Sequence, residues 1–159
     1  MPPQHLTRSA QELLHVVETL HAMPFPHQKE KAVDRWGGPG YHVVVLAESQ
    51  DFWEDRSSQM VEEAEEGISA DLGGLAVLLT ERCGAPEAVD LGPYLGFDNP
   101  DPDIQAPEPM GFLCNLAGSM QVWRPHASDR WIALAIGQAD PEWPIQLLAA
   151  FGECSALPG

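Results

Sequence analysis

The chain has 159 residues, 44% of them hydrophobic and 20% charged, with 24 Asp and Glu against 8 Lys and Arg for a formal net charge of −16. That apolar share is too high for a chain disordered throughout, and its apolar runs are far shorter than the roughly 20 residues a membrane-spanning helix needs. So much negative charge repels phosphate backbones and anionic lipid, which argues against direct nucleic-acid or membrane binding.

The length matches one hydrophobic core, so a single domain over 1–159 is expected. The opening Met-Pro-Pro-Gln-His-Leu-Thr-Arg has no basic patch followed by an apolar stretch, and a cytoplasmic location is expected from it. Cys83, Cys114 and Cys154 are odd in number and far apart, a pattern of reduced thiols rather than a disulfide framework. Abundant Ala, Gly and Pro with little Lys and Asn points to a bacterial genome rich in G and C.

Ser9-Ala-Gln-Glu12 has the spacing of a capping box, and Leu13, Val16, Val17 and Leu20 follow at helical intervals. Pro24 and Pro26 stop that pattern. The mixed-charge stretch from His27 to Trp36 has room for a further helical turn before Gly37-Gly-Pro-Gly40 turns the chain. Tyr41 to Ala47, with three consecutive valines, reads as a buried strand.

The next helix is expected from about Arg56 to Cys83, with Met60, Ala64, Ile68, Leu72, Leu75 and Leu79 along one face. Glu62, Glu63, Glu65 and Glu66 fall in its N-terminal half, where the helix dipole favours carboxylates. Gly67 and Gly73-Gly74 weaken it, at roughly 1 kcal/mol each relative to alanine, and favour a bend or break. Gly84 and Pro86 end it.

A short strand fits Ala88 to Leu91. The segment 92–109, with five prolines and several aspartates, reads as a long, mobile loop. From Met110 the apolar period becomes two. Phe112, Cys114 and Leu116 alternate, Gly118-Ser119 suits a type II′ hairpin turn, and Met120 to Arg124 forms the return strand. In Arg130 to Gly137, Ile132, Leu134 and Ile136 face one way while Trp131, Ala133 and Ala135 face the other. Ile145 to Phe151 fits either a strand or a short glycine-capped helix, and the preceding meander favours the strand. The sum is an α+β fold: a C-terminal antiparallel β-meander plus one strand near 41–47, covered on one face by two amphipathic helices.

No motif identifies a reaction. Glu12-x-x-His15-x-x-Glu18-x-x-His21 has the step of di-iron bundle ligands, but such sites need four helices, and steps of three carry His21 around the cylinder from His15. Asp98-Asn-Pro-Asp101-Pro-Asp103 offers hard oxygens without the glycine and bidentate glutamate of a calcium loop. Cys114 and His126 permit a nucleophile–base pair without predicting one. Gly37-Gly-Pro-Gly40 precedes a strand and lacks the Lys-Ser or Lys-Thr of a phosphate loop. No metal or cofactor is expected.

What remains is surface character. The charge and five tryptophans point to a non-catalytic interaction protein, of the inhibitor, immunity or chaperone kind, that takes a basic protein partner. Glu62, Glu63, Glu65 and Glu66 would steer the encounter, and Trp123, Trp131 and Trp143 would form an aromatic contact patch. Solubility alone is the plainer use for the charge, and completing a core poor in Phe and Tyr is the plainer use for the tryptophans. A different expectation is a small-molecule site or hydrolase between sheet and helices, with His126 or His42 facing a carboxylate and the 92–109 loop as lid. Homodimerisation through a sheet edge or the aromatic patch is a further alternative.

Overall fold

The computed structural model describes residues 9–32, 35–49, 57–91, 113, 116–125, 128–138 and 143–153. Cys114, Cys154, His126 and the 92–109 segment lie outside these residues. The elements in chain order are α1 (Ala10–Ala22), β1 (Glu30–Lys31), β2 (Arg35–Gly38), β3 (Tyr41–Glu48), α2 (Ser58–Cys83), β4 (Glu87–Asp90), β5 (Ser119–Trp123), β6 (Arg130–Gly137) and β7 (Gln146–Glu153). All neighbouring strands are antiparallel, in the order β1-β2-β3-β7-β6-β5-β4. The fold is thus α+β, as the sequence pattern predicts.

Helix α1 begins where its capping box places it. Ser9 Oγ accepts from the Glu12 amide at 3.1 Å and the Ser9 amide donates to Glu12 Oε1 at 3.2 Å, so two orphan donors are satisfied reciprocally. Helix α2 runs unbroken for 26 residues through Gly67, Gly73 and Gly74. Burial of Ala64, Ile68, Leu75 and Leu79 against the sheet outweighs the glycine cost. Its N-cap is Ser57, whose hydroxyl accepts from the Met60 amide at 3.3 Å. No acidic residue stands in its first turn, so Glu62 to Glu66 gain little from a dipole that acts mainly within that turn. Among the described residues no helix is long and apolar enough to cross a membrane.

Both helices pack on one face of the sheet. Leu13, Val17 and Leu20 of α1 and Ile68, Leu75 and Leu79 of α2 share a core with Val44, Leu46, Trp123, Ile132, Leu134, Leu147 and Phe151. A bulge in β3 between Val45 and Ala47 turns Leu46 and Ala47 both toward this side, which simple alternation would not allow. The other face is buried too. There Tyr41, Val43, Met120, Val122, Trp131, Ala133, Ala135 and Leu148 pack with Leu91, Leu113 and Ala117, which flank the 92–109 stretch.

Two local expectations are corrected. The stretch from His27 to Trp36 adds no helical turn among its described residues; it contributes β1 and the start of β2. The Pro39-Gly40 turn carries β2 back to β3, with Gly38 opposite Tyr41 and Gly40 at φ 85°, the positive value a type II turn demands at its second central residue. The strand expected over Phe112 to Leu116 is not the partner of β5. Leu113 is helical, the amides of Leu116 and Ala117 both donate to its carbonyl at 2.9 Å, and β5 pairs instead with β4 and β6. Gly118 has no positive φ, so the type II′ turn is excluded. The Ile145 to Phe151 segment forms strand β7 from Gln146 onward, between β3 and β6 at the centre of the sheet.

Candidate functional site

The tryptophans expected to cluster are separated by the sheet. Trp123 and Trp131 are both fully buried, one in the helix-side core and one on the opposite face. The Trp123 indole donates to Thr80 Oγ1 at 3.1 Å, and the Trp131 indole donates to the Glu153 carbonyl at 3.0 Å. Each therefore has the partner that a buried indole N–H requires. Trp143 differs: it is 50% exposed.

The glutamates of α2 are all exposed, but they do not act as one block. Glu63 accepts from Gln59 Nε2 at 3.2 Å one turn back. Glu65 and Ser69, four residues apart, form the helix wall of a surface groove of about 330 Å³. The apolar residues Leu116, Ala117, Ile136 and Ile145 line it as well, together with Gly118 and Gly137. Gln138 closes one end, and its Nε2 donates to the Trp143 carbonyl at 2.8 Å. The groove thus brings together Glu65 and the segment that presents Trp143. Glu62, three residues before Glu65, is its neighbour on the helix surface, whereas Glu66 follows directly and is turned away from it.

This geometry suits a long cationic side chain. Its methylene stem would lie along Leu116, Ala117, Ile136 and Ile145, and its charged head would meet Glu65. Arg82, at the other end of α2, is the helix's own cation, and it pairs there with Glu18 at 2.9 Å. Sequence patterning could not find Ser69, Gln138 or the apolar lining, because they are assembled from α2, the 116–118 turn and the β6 to β7 connection.

The other sequence candidates are dispersed. On α1, Glu12 caps the helix, Glu18 binds Arg82, and His21 Nε2 lies 3.2 Å from the Arg130 carbonyl. Among the described residues no group of three metal-ligating side chains converges. Burial pushes the Cys83 thiol up, opposed by Arg82 and reinforced by Glu18, so it is a poor nucleophile. His42 is buried, and burial pushes its imidazole below the usual histidine range. The guanidiniums of Arg35 and Arg130 push the same way, against the carbonyls of Met23 and Pro24. No carboxylate is among the groups that shift it.

No family model, curated protein or solved structure matches this chain.

Proposed function

We propose that the protein is a non-catalytic binding module for a basic protein partner, which inserts an Arg or Lys side chain between α2 and the 116–118 turn. The observation that carries this reading is the groove itself: an apolar lining, Glu65 on the helix wall and the Trp143 segment at the end. The surrounding charge of −16 would speed encounter with a basic surface, while the desolvated stem would supply most of the affinity.

The helix carries its carboxylates at a cost. Glu62 and Glu66 are four residues apart, an arrangement of like charges that destabilises a helix by roughly 0.2 to 0.5 kcal/mol. A cytoplasmic setting belongs to the same proposal, supported by the unpaired Cys83.

The test is a titration with a short oligoarginine peptide at low salt, comparing Glu65→Gln with Glu81→Gln. Glu81 is exposed on the same helix, so both variants lose one charge. Glu65→Gln is expected to weaken binding several-fold more than Glu81→Gln; equal losses would reduce the interaction to general charge attraction and overturn the proposal.

A further inference from the structure

At the far end of β7 from the groove, the acidic chain gathers positive charge. Lys29, Lys31, Arg35 and Arg130 are four of its eight Lys and Arg residues. Lys31, Arg35, Trp36, Gly37 and His42 line a recess of about 240 Å³, with Glu30 also on its wall. His42 is 2% exposed; the carbonyls of Met23 and Pro24 act on its ring, but its Nε2 atom completes no hydrogen bond among the described residues. A buried polar atom without a partner is uncommon and costs roughly 1 to 3 kcal/mol. In a strand of Tyr, Val and Leu neighbours, an apolar residue would avoid that cost.

The surroundings of His42 are built to hold it in place. Its ring centroid lies 5.2 Å from that of Phe25, and the Arg130 guanidinium stacks on the Phe25 ring at 3.9 Å from its centroid. Arg130 also donates to the carbonyls of His21 and Met23, where α1 ends, so its charge is fixed and engaged. Arg35 is bound more loosely, through Met23 Sδ at 3.6 Å, and Lys31 is exposed. Lys31 and Arg35 thus share a recess with a buried imidazole.

We infer that this recess binds a small oxyanion, a phosphate or a carboxylate, held by Lys31 and Arg35 with His42 as the buried hydrogen-bond donor. The volume is right for such an ion with a few waters, since each water occupies about 30 Å³. A drug-sized ligand needs about 300 Å³ or more. Arg35 suits the role because its planar fork matches an oxyanion. Gly37 lets the His42 ring sit close to this wall: a Cβ there would lie 3.2 Å from His42 Nδ1.

The experiment is calorimetric titration of the full chain with inorganic phosphate and, separately, with acetate, against sodium chloride at matched ionic strength. One saturable site is expected for at least one of the two, with affinity reduced tenfold or more in Arg35→Gln and several-fold in Lys31→Gln. Phosphate without acetate binding would assign the ligand to the phosphate class, and the reverse to carboxylates. The imidazole signals of His42, followed by NMR, should titrate at higher pH when the ion is bound. Lys31 is exposed, so its variant reports on the site even if Arg35→Gln fails to fold. Absence of saturable binding to either ion, unchanged affinity in Lys31→Gln, or His42 signals unmoved by the ion would overturn the inference.

Discussion

The indole of Trp131 lies against Gly152, its register partner across β6 and β7: a Cβ on Gly152 would come within 2.6 Å of Trp131 Cε2. The glycine is therefore the space that the tryptophan fills. Its partner on the sheet is a backbone rather than a side chain, and the indole N–H reaches the next carbonyl, that of Glu153. Gly152→Ala should cost about 1 to 3 kcal/mol, the range for overpacking a core. Denaturant unfolding followed by tryptophan fluorescence measures it, and a cost near zero would mean that the ring can move aside.

On the opposite face, Trp123 depends on Thr80 for its hydrogen bond. Thr80→Val keeps the shape and removes the acceptor, leaving a buried donor unsatisfied, so a loss of about 1 kcal/mol is expected. Adding Trp123→Phe, which removes the donor, should recover part of that loss relative to the sum of the two single changes. Strict additivity in the double-mutant cycle would show that the bond contributes nothing.

Much of this architecture can be read from local pattern. The capping box at Ser9 and Glu12, the valine run in β3 and the two-residue alternation in β6 are signals carried by the residues themselves. That alternation places Ile132 and Leu134 on the face opposite Trp131 and Ala133, where the fold has them. Pattern fails where pairing is non-local. Strand β2 is held by β3 across a tight turn, and nothing in Arg35-Trp-Gly-Gly38 alternates. Strand β5 takes β4, from before the 92–109 stretch, in preference to the adjacent segment that has the alternation of a hairpin partner. The tryptophans show the same limit, since a count of aromatics cannot say which face of a sheet each will occupy. Trp143 alone of the three is exposed, and its tie to the groove residue Gln138 runs through its backbone carbonyl, within the connection between β6 and β7. Clustering of Lys and Arg between residues 29 and 35 is a visible signal for the oxyanion recess, but the buried ring of His42 comes from the fold.

The acidic helix should show a trade between stability and binding. Glu66→Lys replaces the repulsive pair with Glu62 by an attractive one, with the glutamate on the favourable N-terminal side, worth on the order of 0.3 kcal/mol. The variant is expected to melt slightly higher than the parent and to bind a basic peptide more weakly. Thermal unfolding and peptide titration on the same preparation read both; a gain in affinity would contradict a role for the helix's negative charge in binding.

His42 gives the folded chain a defined response to acid. In the unfolded chain it takes a proton near its ordinary value of 6.5, whereas burial, with Arg35 and Arg130, lowers that value in the fold against the pull of the Met23 and Pro24 carbonyls. Below the unfolded value the unfolded state holds more protons, so this residue's contribution to stability falls as pH falls and levels off once the folded ring is also charged. His42→Gln should flatten that part of the stability curve, measured by denaturant unfolding from about pH 7 to 5 in a buffer free of phosphate and carboxylate. An unchanged slope would mean that His42 is not the group responsible.

The groove between α2 and the 116–118 turn is tested most directly by mapping where a basic ligand lands. In amide and indole NMR spectra of the full chain titrated with oligoarginine, the largest changes are expected at Glu65, Ser69, Ala117, Gly137, Gln138 and the Trp143 indole. Changes spread evenly over the acidic surface, or centred on the exposed face of α1, would contradict the groove as the place where a basic partner binds.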